Sequence, residues 1–219
     1  MAAIKKQSLV DQVYERLRAD IIHLRMPLGS KVNVNELQEV LGVSCTPIRE
    51  AINRLQQEGL ITYENNVGAH VLTLTAQDVE EIQLLATTLH CAAARLAMER
   101  GDRYAMGQQL RALLAKLEQA RTPQEQVKVI HHLIEVFYLH CGNRRLDRSM
   151  LAIQGQQLLL RNLYAQEGMD MEQIFSDFSQ VCQGVEAGDT EQVCAAIRTN
   201  AQRMEHCLTC ALQPSQRTT

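Results

Sequence analysis

The sequence predicts a mainly α-helical protein in two parts: three short helices closed by a small β-hairpin, then an all-α bundle of about six helices. Three observations predict it. Apolar residues recur at helical spacing through most of the chain. That rhythm breaks once, near residues 60–74, into two short alternating stretches around Asn65-Asn66-Val67-Gly68. Aromatic residues make up only 4% of the 219, while Ala, Leu and Gln abound, which suits helix-on-helix packing. The two domains are expected over 1–74 and 75–219.

Residues 8–24 carry a helical stripe of Leu9, Val10, Val13, Leu17, Ile21 and Leu24, with Ser8 and Asp11 placed as a capping pair. Met26-Pro27-Leu28-Gly29-Ser30 then reads as a turn. A short helix over 34–42 has Leu37, Val40 and Leu41 as its apolar residues and stops at Gly42. The next helix, 44–58, begins at Ser44 as a cap and tolerates Pro47, because first-turn N–H groups have no intrahelical partner. Ile48, Ile52, Leu55 and Leu60 form its buried stripe, leaving Arg49, Asn53 and Gln56 to face away. Beyond Thr75 the spacing predicts helices over 76–100, 103–119, 124–140, 145–164, 170–187 and 189–212. Thr75 with Asp78 and Thr122-Pro123 with Glu125 mark starts, while Gly101-Asp102 and Gly188-Asp189 each stop one helix and cap the next.

Bulk properties narrow the function class. No stretch approaches the roughly 18 uncharged apolar residues of a membrane span, and the first residues show no signal-peptide pattern, so a cytoplasmic protein with no membrane partner is expected. Seven scattered cysteines fit a reducing compartment, most of them among Ala, Val and Leu where Cys acts as a small core residue. Net charge is −3, yet residues 1–74 carry eight Lys and Arg against eight Asp and Glu. A neutral first domain is a weaker footprint than nucleic-acid binders usually show. No Gly-rich phosphate loop, nucleophile elbow or paired-carboxylate motif points to an enzyme.

Helix, helix, helix, hairpin within about 65 residues is the order of a winged helix-turn-helix, in which the helix after the tight turn enters the major groove. The run VSCTPIREAINRLQQEGLI resembles the signature of the GntR family of regulators, roughly V-S-R-T-P-V-R-E-A-L-x-R-L-x-x-E-G-L-V. LRMPLGSKV is similar to the family's turn before the second helix, and NVGAHV to its glycine-containing wing. The resemblance covers about residues 8–73 and implies that Lys31, Asn35, Ser44, Cys45, Thr46, Arg49, Arg54, Gly68 and His70 face double-stranded operator DNA. Cys45 and Asn35 stand where relatives commonly carry DNA-contacting arginines. Loss of a base-reading Arg removes about 1–3 kcal/mol of discrimination at one position, which implies a different operator or a weaker affinity.

The helical half resembles the FadR-type, FCD branch of that family at AARLAMERG, HCGNRRL and GVEAGDTEQVCAAI. Relatives with a metal site carry one Asp and three His there; the matching positions here are Ile130, Ile134, Phe178 and Asn200. Three of these have no donor atom, so no metal cofactor is expected. Where relatives carry Arg and Glu in the domain's first helix, this chain has Ala86 and His90. The resemblance thus places an effector pocket at Ala86, His90, Ile130, Ile134, Phe178 and Asn200, without the usual anchors for a small carboxylate. Either it takes a more apolar effector, with His90 and Asn200 as polar contacts, or side chains fill it and the domain is a dimerisation scaffold. His131-His132 with Glu135, and His206 with Cys207 and Cys210, are weak metal signals lacking further ligands.

The sequence therefore points to a homodimeric, DNA-binding transcription regulator, more in the manner of a repressor, whose operator affinity a small molecule controls. Its rivals are a ligand-independent or thiol-gated regulator and, more distantly, a helical thiol or metal enzyme using His206, Cys207 and Cys210. A thiol at a helix N-terminus is activated by the helix field, so oxidation of Cys45 would disturb the DNA face; the simpler reading is a small neutral residue. Gel-shift titration before and after peroxide separates the two. Peroxide-insensitive binding is expected, whereas loss of binding that Cys45→Ser prevents would establish the gate.

Overall fold

The computed structural model describes residues 8–64 and 67–212; Asn65 and Asn66, expected at the hairpin turn, lie outside the described residues. The chain divides between Thr73 and Leu74 into two compact units.

The first unit holds α1 (Leu9–Ile22), α2 (Val34–Leu41), α3 (Cys45–Gln57), β1 (Ile61–Glu64) and β2 (Gly68–Val71). Ser8 and Asp11 form a reciprocal capping box at the start of α1, with the Asp11 N–H donating to Ser8 Oγ at 3.1 Å. Gly42, at φ +65°, supplies the left-handed residue that lets the chain reverse between α2 and α3. β1 and β2 pair antiparallel from Ile61 opposite Val71 to Glu64 opposite Gly68, and Lys31 bridges to His70 on the other edge of β2. The core of the unit is Val13, Leu17, Ile21, Ile48, Ile52, Leu55, Leu60 and Val71, so the expected stripes of α1 and α3 do face each other.

Three apolar residues stand outside the core, the first being Leu9 at the start of α1, 49% exposed. Leu24 lies beyond α1 at φ +58°, because the chain turns at His23 and the N–H groups of Arg25 and Met26 fold back onto the Asp20 carbonyl. Val40 is 77% exposed: α2 has only eight residues, and α3 is covered by its Leu37 and Leu41 side.

Polar staples set α3 against α1. Arg18 Nε donates to Glu58 Oε1 at 2.7 Å and the Tyr14 hydroxyl to Glu58 Oε2 at 2.9 Å. Glu58 thus serves both as the C-cap of α3 and as the shared acceptor of two α1 donors. Toward the other end, Arg54 pairs with Asp11 at 2.7 Å and lies over the Tyr14 ring at 5.9 Å. The Asp11 carboxyl is held below its usual range by the Ser8 hydroxyl first and Arg54 second.

The second unit is built of α4 (Ala76–Arg100), α5 (Arg103–Gln119), α6 (Pro123–His140), α7 (Arg144–Glu167), α8 (Met171–Ala187) and α9 (Thr190–Leu212), the six helices the spacing predicts. Thr75 with Asp78 and Thr122 with Glu125 form capping boxes, and Asp102 caps α5 by accepting from the Ala105 N–H at 3.0 Å. α4 packs on α6, α7 and α9, so its middle is surrounded by other helices. Phe137, Phe178, Leu133, Leu159 and Leu110 are the large side chains sealed inside. Cys91, Cys141, Cys182 and Cys194 are buried as expected of small core residues, whereas Cys210 is exposed. Among the described residues no helix is long and apolar enough to cross a membrane.

Glu58→Ala removes the acceptor for Arg18 and Tyr14 at a half-buried point. A loss of about 1.5–3 kcal/mol from the first unit is expected, the range for hydrogen bonds to charged groups. Urea denaturation of Glu58→Ala, Arg18→Met and the double variant checks it, the double change costing less than the sum of the singles.

Candidate nucleic-acid interface and interior ligand site

The exposed end of the first unit is the first turn of α3. Ser44, Thr46 and Arg49 are all exposed there, and Cys45 is half-buried. Ser44 occupies the N-cap position, but its hydroxyl makes no capping hydrogen bond, contrary to the expectation that it caps α3. Pro47, lacking an N–H, is buried three residues further on. The turn therefore presents a free hydroxyl and N–H groups without intrahelical partners, a surface suited to a phosphate oxygen. Arg49 follows on the exposed side of the same helix.

The wing supplies a second polar surface. Side chains alternate along β2, so Ala69 and Val71 point to the core while Gly68 and His70 point away. Lys31 and Thr62 sit opposite His70 on either side, which gathers three polar residues on one outer face. The His70 Nδ1 is buried without a hydrogen-bond partner, so its ring is oriented by packing. Asn35 is exposed one residue into α2, its N–H donating to the Asn33 side chain. Arg54 differs from the rest: its guanidinium is committed to Asp11 and Tyr14, which turns it toward α1 and makes it a support for α3.

In the second unit the expected pocket residues meet, but the space among them is small. Ala86, His90, Ile130, Ile134 and Phe178 are buried, and Asn200 is half-buried. One cavity of about 20 Å³ is lined by His90, Ile134, Phe178, Asn200 and their neighbours, and another of about 20 Å³ by Ile130, Asn200 and others. Each is about the size of one water. A third, of about 50 Å³, is reached past His131, Glu135 and Asp147 and ends at His90 and Tyr138. Ala86 is buried but lines none of the three.

Polar contacts in this interior are specific. His90 Nδ1 lies 2.9 Å from the Tyr138 hydroxyl, and its Nε2 is buried without a partner. Burial first, and Arg161 second, push the His90 pKa down to about 3, so the ring is neutral at pH 7. Gln157 donates to Gln83 at 2.6 Å, and Gln83 in turn donates to the Ala201 carbonyl at 3.2 Å. The Asn200 amide donates to Asp177 at 3.3 Å, and Arg203 reaches the same carboxylate at 3.3 Å. Asn200 is thus partly engaged, leaving its carbonyl oxygen for any ligand.

Two residues of this interior escape a reading by sequence alone. Asp177 is a buried carboxylate beside the expected Phe178, and Arg161 is a buried cation on α7 with only 8% of its surface exposed. Arg161 Nη1 has no hydrogen-bond partner, and burial pushes its pKa down to about 10, which leaves it charged at pH 7. Its neighbours Leu158, Leu159, Leu160 and Leu163 were the available signal: a cation inside so apolar a stretch has no solvated face of its own. The sequence reading did not include Arg161, a buried cation that lines these cavities from α7.

A divalent metal does not fit here. Ile130, Ile134 and Phe178 offer no donor, and among the described residues no three His, Cys, Asp or Glu side chains group closely enough to hold an ion. His131 and His132 stack obliquely at 6.0 Å, with His131 Nε2 3.1 Å from Gln154, and His206 reaches only Cys210, at 3.9 Å.

Comparison with known proteins then decides the family. Residues 9–71 match the model of bacterial regulatory proteins of the gntR family, and residues 81–203, more than half of the chain, match the FCD domain. The chain belongs to the GntR family, with an FCD domain. It is 30% identical over 96 residues to the HTH-type transcriptional regulator BphR of Paraburkholderia xenovorans, covering 44% of this chain and 39% of that protein. It is 31% identical over 91 residues to the HTH-type transcriptional repressor RspR of Escherichia coli, covering 42% and 40%. The aligned stretch spans less than half the length of either relative. A crystal structure of a GntR regulator from Rhodococcus sp. RHA1 shares the fold at a TM-score of 0.74 and 20% identity, covering 91% of this chain and 97% of that one. The family it belongs to is one of bacterial regulatory proteins, and the relatives it matches are named transcriptional regulators.

Arg49 and Arg54 give a contrast on one helix. Arg49→Ala is expected to weaken duplex binding and, where Arg49 meets a phosphate, to reduce the salt slope by about one unit. Arg54→Ala is expected to lower the melting temperature of the first unit while changing the salt slope less. Fluorescence anisotropy across a salt series, with thermal melts of both variants, checks the pair.

Proposed function

We propose that this protein acts as a homodimeric, repressor-type regulator. The first turn of α3 and the outer face of the wing read a two-fold symmetric operator, and a small molecule bound inside the helical unit sets the affinity. The uncapped first turn of α3 carries this reading: Ser44, Thr46 and Arg49 are exposed together at a helix start, where partnerless N–H groups favour anions. Lys31, Thr62 and His70 on the wing add polar groups suited to backbone contact in an adjacent groove. Repression is supported by the name of RspR, and dimerisation by the habit of GntR regulators.

A second reading has one observation in its favour. Cavities of about 20–50 Å³ hold waters rather than a metabolite, as a pure dimerisation scaffold would show. Selection of bound duplexes from a random pool tests the main reading at its root. Recovery of inverted-repeat half-sites about one helical turn apart is expected. Single unpaired sites, or no enrichment, would overturn the homodimeric operator reading, and size-exclusion chromatography with light scattering reports the oligomer independently.

A further inference from the structure

Two of the cysteines meet across the helical unit. Cys91 of α4 and Cys194 of α9 lie 103 residues apart in the chain, yet each thiol donates to the main-chain carbonyl of the other at 3.8 Å. The two sulfurs also stand within hydrogen-bonding reach of each other. Buried Ala93, Ala94 and Ala97 on α4 and Ala196 on α9 let these helices pack closely. Small size alone does not account for the pair, since alanine would fill either position without matching a second thiol.

A charged cover lies beside the sulfurs. Arg95 follows Cys91 by one helical turn, and Glu191 and Arg198 flank Cys194 by one turn on either side. Arg95 donates to Glu191 at 2.7 Å, and Arg198 lies 3.7 Å from the same carboxylate. All three side chains are exposed, and an exposed ion pair opens at little cost, which gives a small oxidant a way in. Arg95 also bonds the Cys194 thiol. The bond from Cys91 first, and Arg95 after it, draw the Cys194 thiol below its ordinary range. Cys91 is pushed the other way, by Cys194 first and burial second. One sulfur is thus favoured as thiolate while its neighbour keeps its proton.

We infer that Cys194 and Cys91 are a dithiol site for hydrogen peroxide, which closes them into a disulfide tying α4 to α9. The Cys194 thiolate attacks one peroxide oxygen: an S–O bond forms, the O–O bond breaks, and the departing hydroxide leaves as water with the proton the thiol released. Cys91 then attacks the sulfenic sulfur. An S–S bond forms, the S–O bond breaks, and the hydroxide takes the Cys91 proton as a second water. The two sulfurs together lose two electrons and the peroxide gains them. Arg95 is a positioning residue that favours the first thiolate. The other cysteines lack this arrangement. Cys207 and Cys210 are three apart on one helix, where Cβ atoms stand about 5–6 Å apart, beyond the about 3.5–4.5 Å of a disulfide. Cys141 bonds the Tyr138 carbonyl within its own turn, and burial pushes the Cys182 thiol up to about 11. The site is independent of the effector-controlled reading above.

The test treats the full reduced chain with equimolar hydrogen peroxide in chelator-treated buffer, then alkylates it under denaturing conditions. Digestion with trypsin and a glutamyl endopeptidase, which cuts after Glu186 and Glu191 and so parts Cys182 from Cys194, maps the product by mass. Loss of two of the seven thiols to a single Cys91–Cys194 bridge within one chain, reversed by dithiothreitol, is expected. An unchanged thiol count, a bridge between other cysteines or a bridge between chains would overturn the site, and none of these results needs a variant to fold. Cys91→Ala should accumulate a dimedone-trapped sulfenic acid on Cys194, whereas Cys194→Ala should leave Cys91 unlabelled; the opposite labelling would overturn the order of attack. Arg95→Gln should slow oxidation at pH 7 by about threefold or more and move the pH–rate midpoint upward, as the thiolate becomes scarcer. Arg95→Lys should restore both, and an unmoved profile in Arg95→Gln would overturn the part given to Arg95.

Discussion

A guanidinium does not shed its charge at neutral pH, so a helical bundle that encloses one must build a polar region around it or suffer the full cost of desolvation. The second unit does the former. Arg161 from α7 lies with His90 and Gln83 of α4, Tyr138 of α6, Gln157 of α7 and Asn200 of α9, a polar zone inside an otherwise apolar interior. The Gln157–Gln83–Ala201 chain of hydrogen bonds ties α7, α4 and α9 at this level. Among the described residues of this unit, Arg161 Nη1, His90 Nε2 and Arg203 Nε are the buried side-chain atoms without a hydrogen-bond partner. Each unmet atom of this kind in a packed interior carries a desolvation cost.

The first unit solves the opposite problem, keeping charges outside and polar groups free. α3 is fixed by its far end and its flank: Glu58 receives Arg18 and Tyr14, and Arg54 is spent on Asp11. Ile48, Ile52 and Leu55 hold the inner face, each burial contributing about 1.5–3 kcal/mol. With the helix held from behind, its first turn needs no capping bond from Ser44 to stay in place. The hydroxyl that would have closed the helix remains available to a ligand. The residues that hold α3 in place thus differ from those it exposes at its first turn.

How much of this the sequence discloses follows from where each feature is encoded. Caps and stripes are local, so Ser8 with Asp11, Thr75 with Asp78 and the six helices of the second unit are legible within a few residues. The head is legible for a further reason: in VSCTPIREAINRLQQEGLI the packing residues Ile48, Ile52 and Leu55, the staple residue Glu58 and the exposed Arg49 lie in one run. Features that depend on remote partners are not legible. Arg54 reads as a surface cation until Asp11, 43 residues away, is seen beside it. Val40 completes an apolar pattern on paper, but α2 is too short to bury more than one edge. Arg161 is hidden most deeply, because its meaning requires α4, α6 and α9 to close around one turn of α7.

The apolar Ile130, Ile134 and Phe178 and the buried Arg161 shape the same interior. A metal ion in a bundle would bring two positive charges and take anionic or imidazole donors from several helices. Ile130, Ile134 and Phe178 instead make those positions apolar, and a single fixed cation arises from a different helix. An interior with one positive charge and hydrophobic walls discriminates by ligand charge and by ligand body together. The small size of the unliganded cavities adds a consequence. A ligand larger than one or two waters binds only a rearranged interior, so its binding energy is divided between contact and rearrangement. An effector can shift an equilibrium only by its difference in affinity for two states, and a site nearly closed in one of them provides that difference by its geometry alone. Small closed cavities are therefore compatible with a ligand-responsive bundle as well as with a simple scaffold.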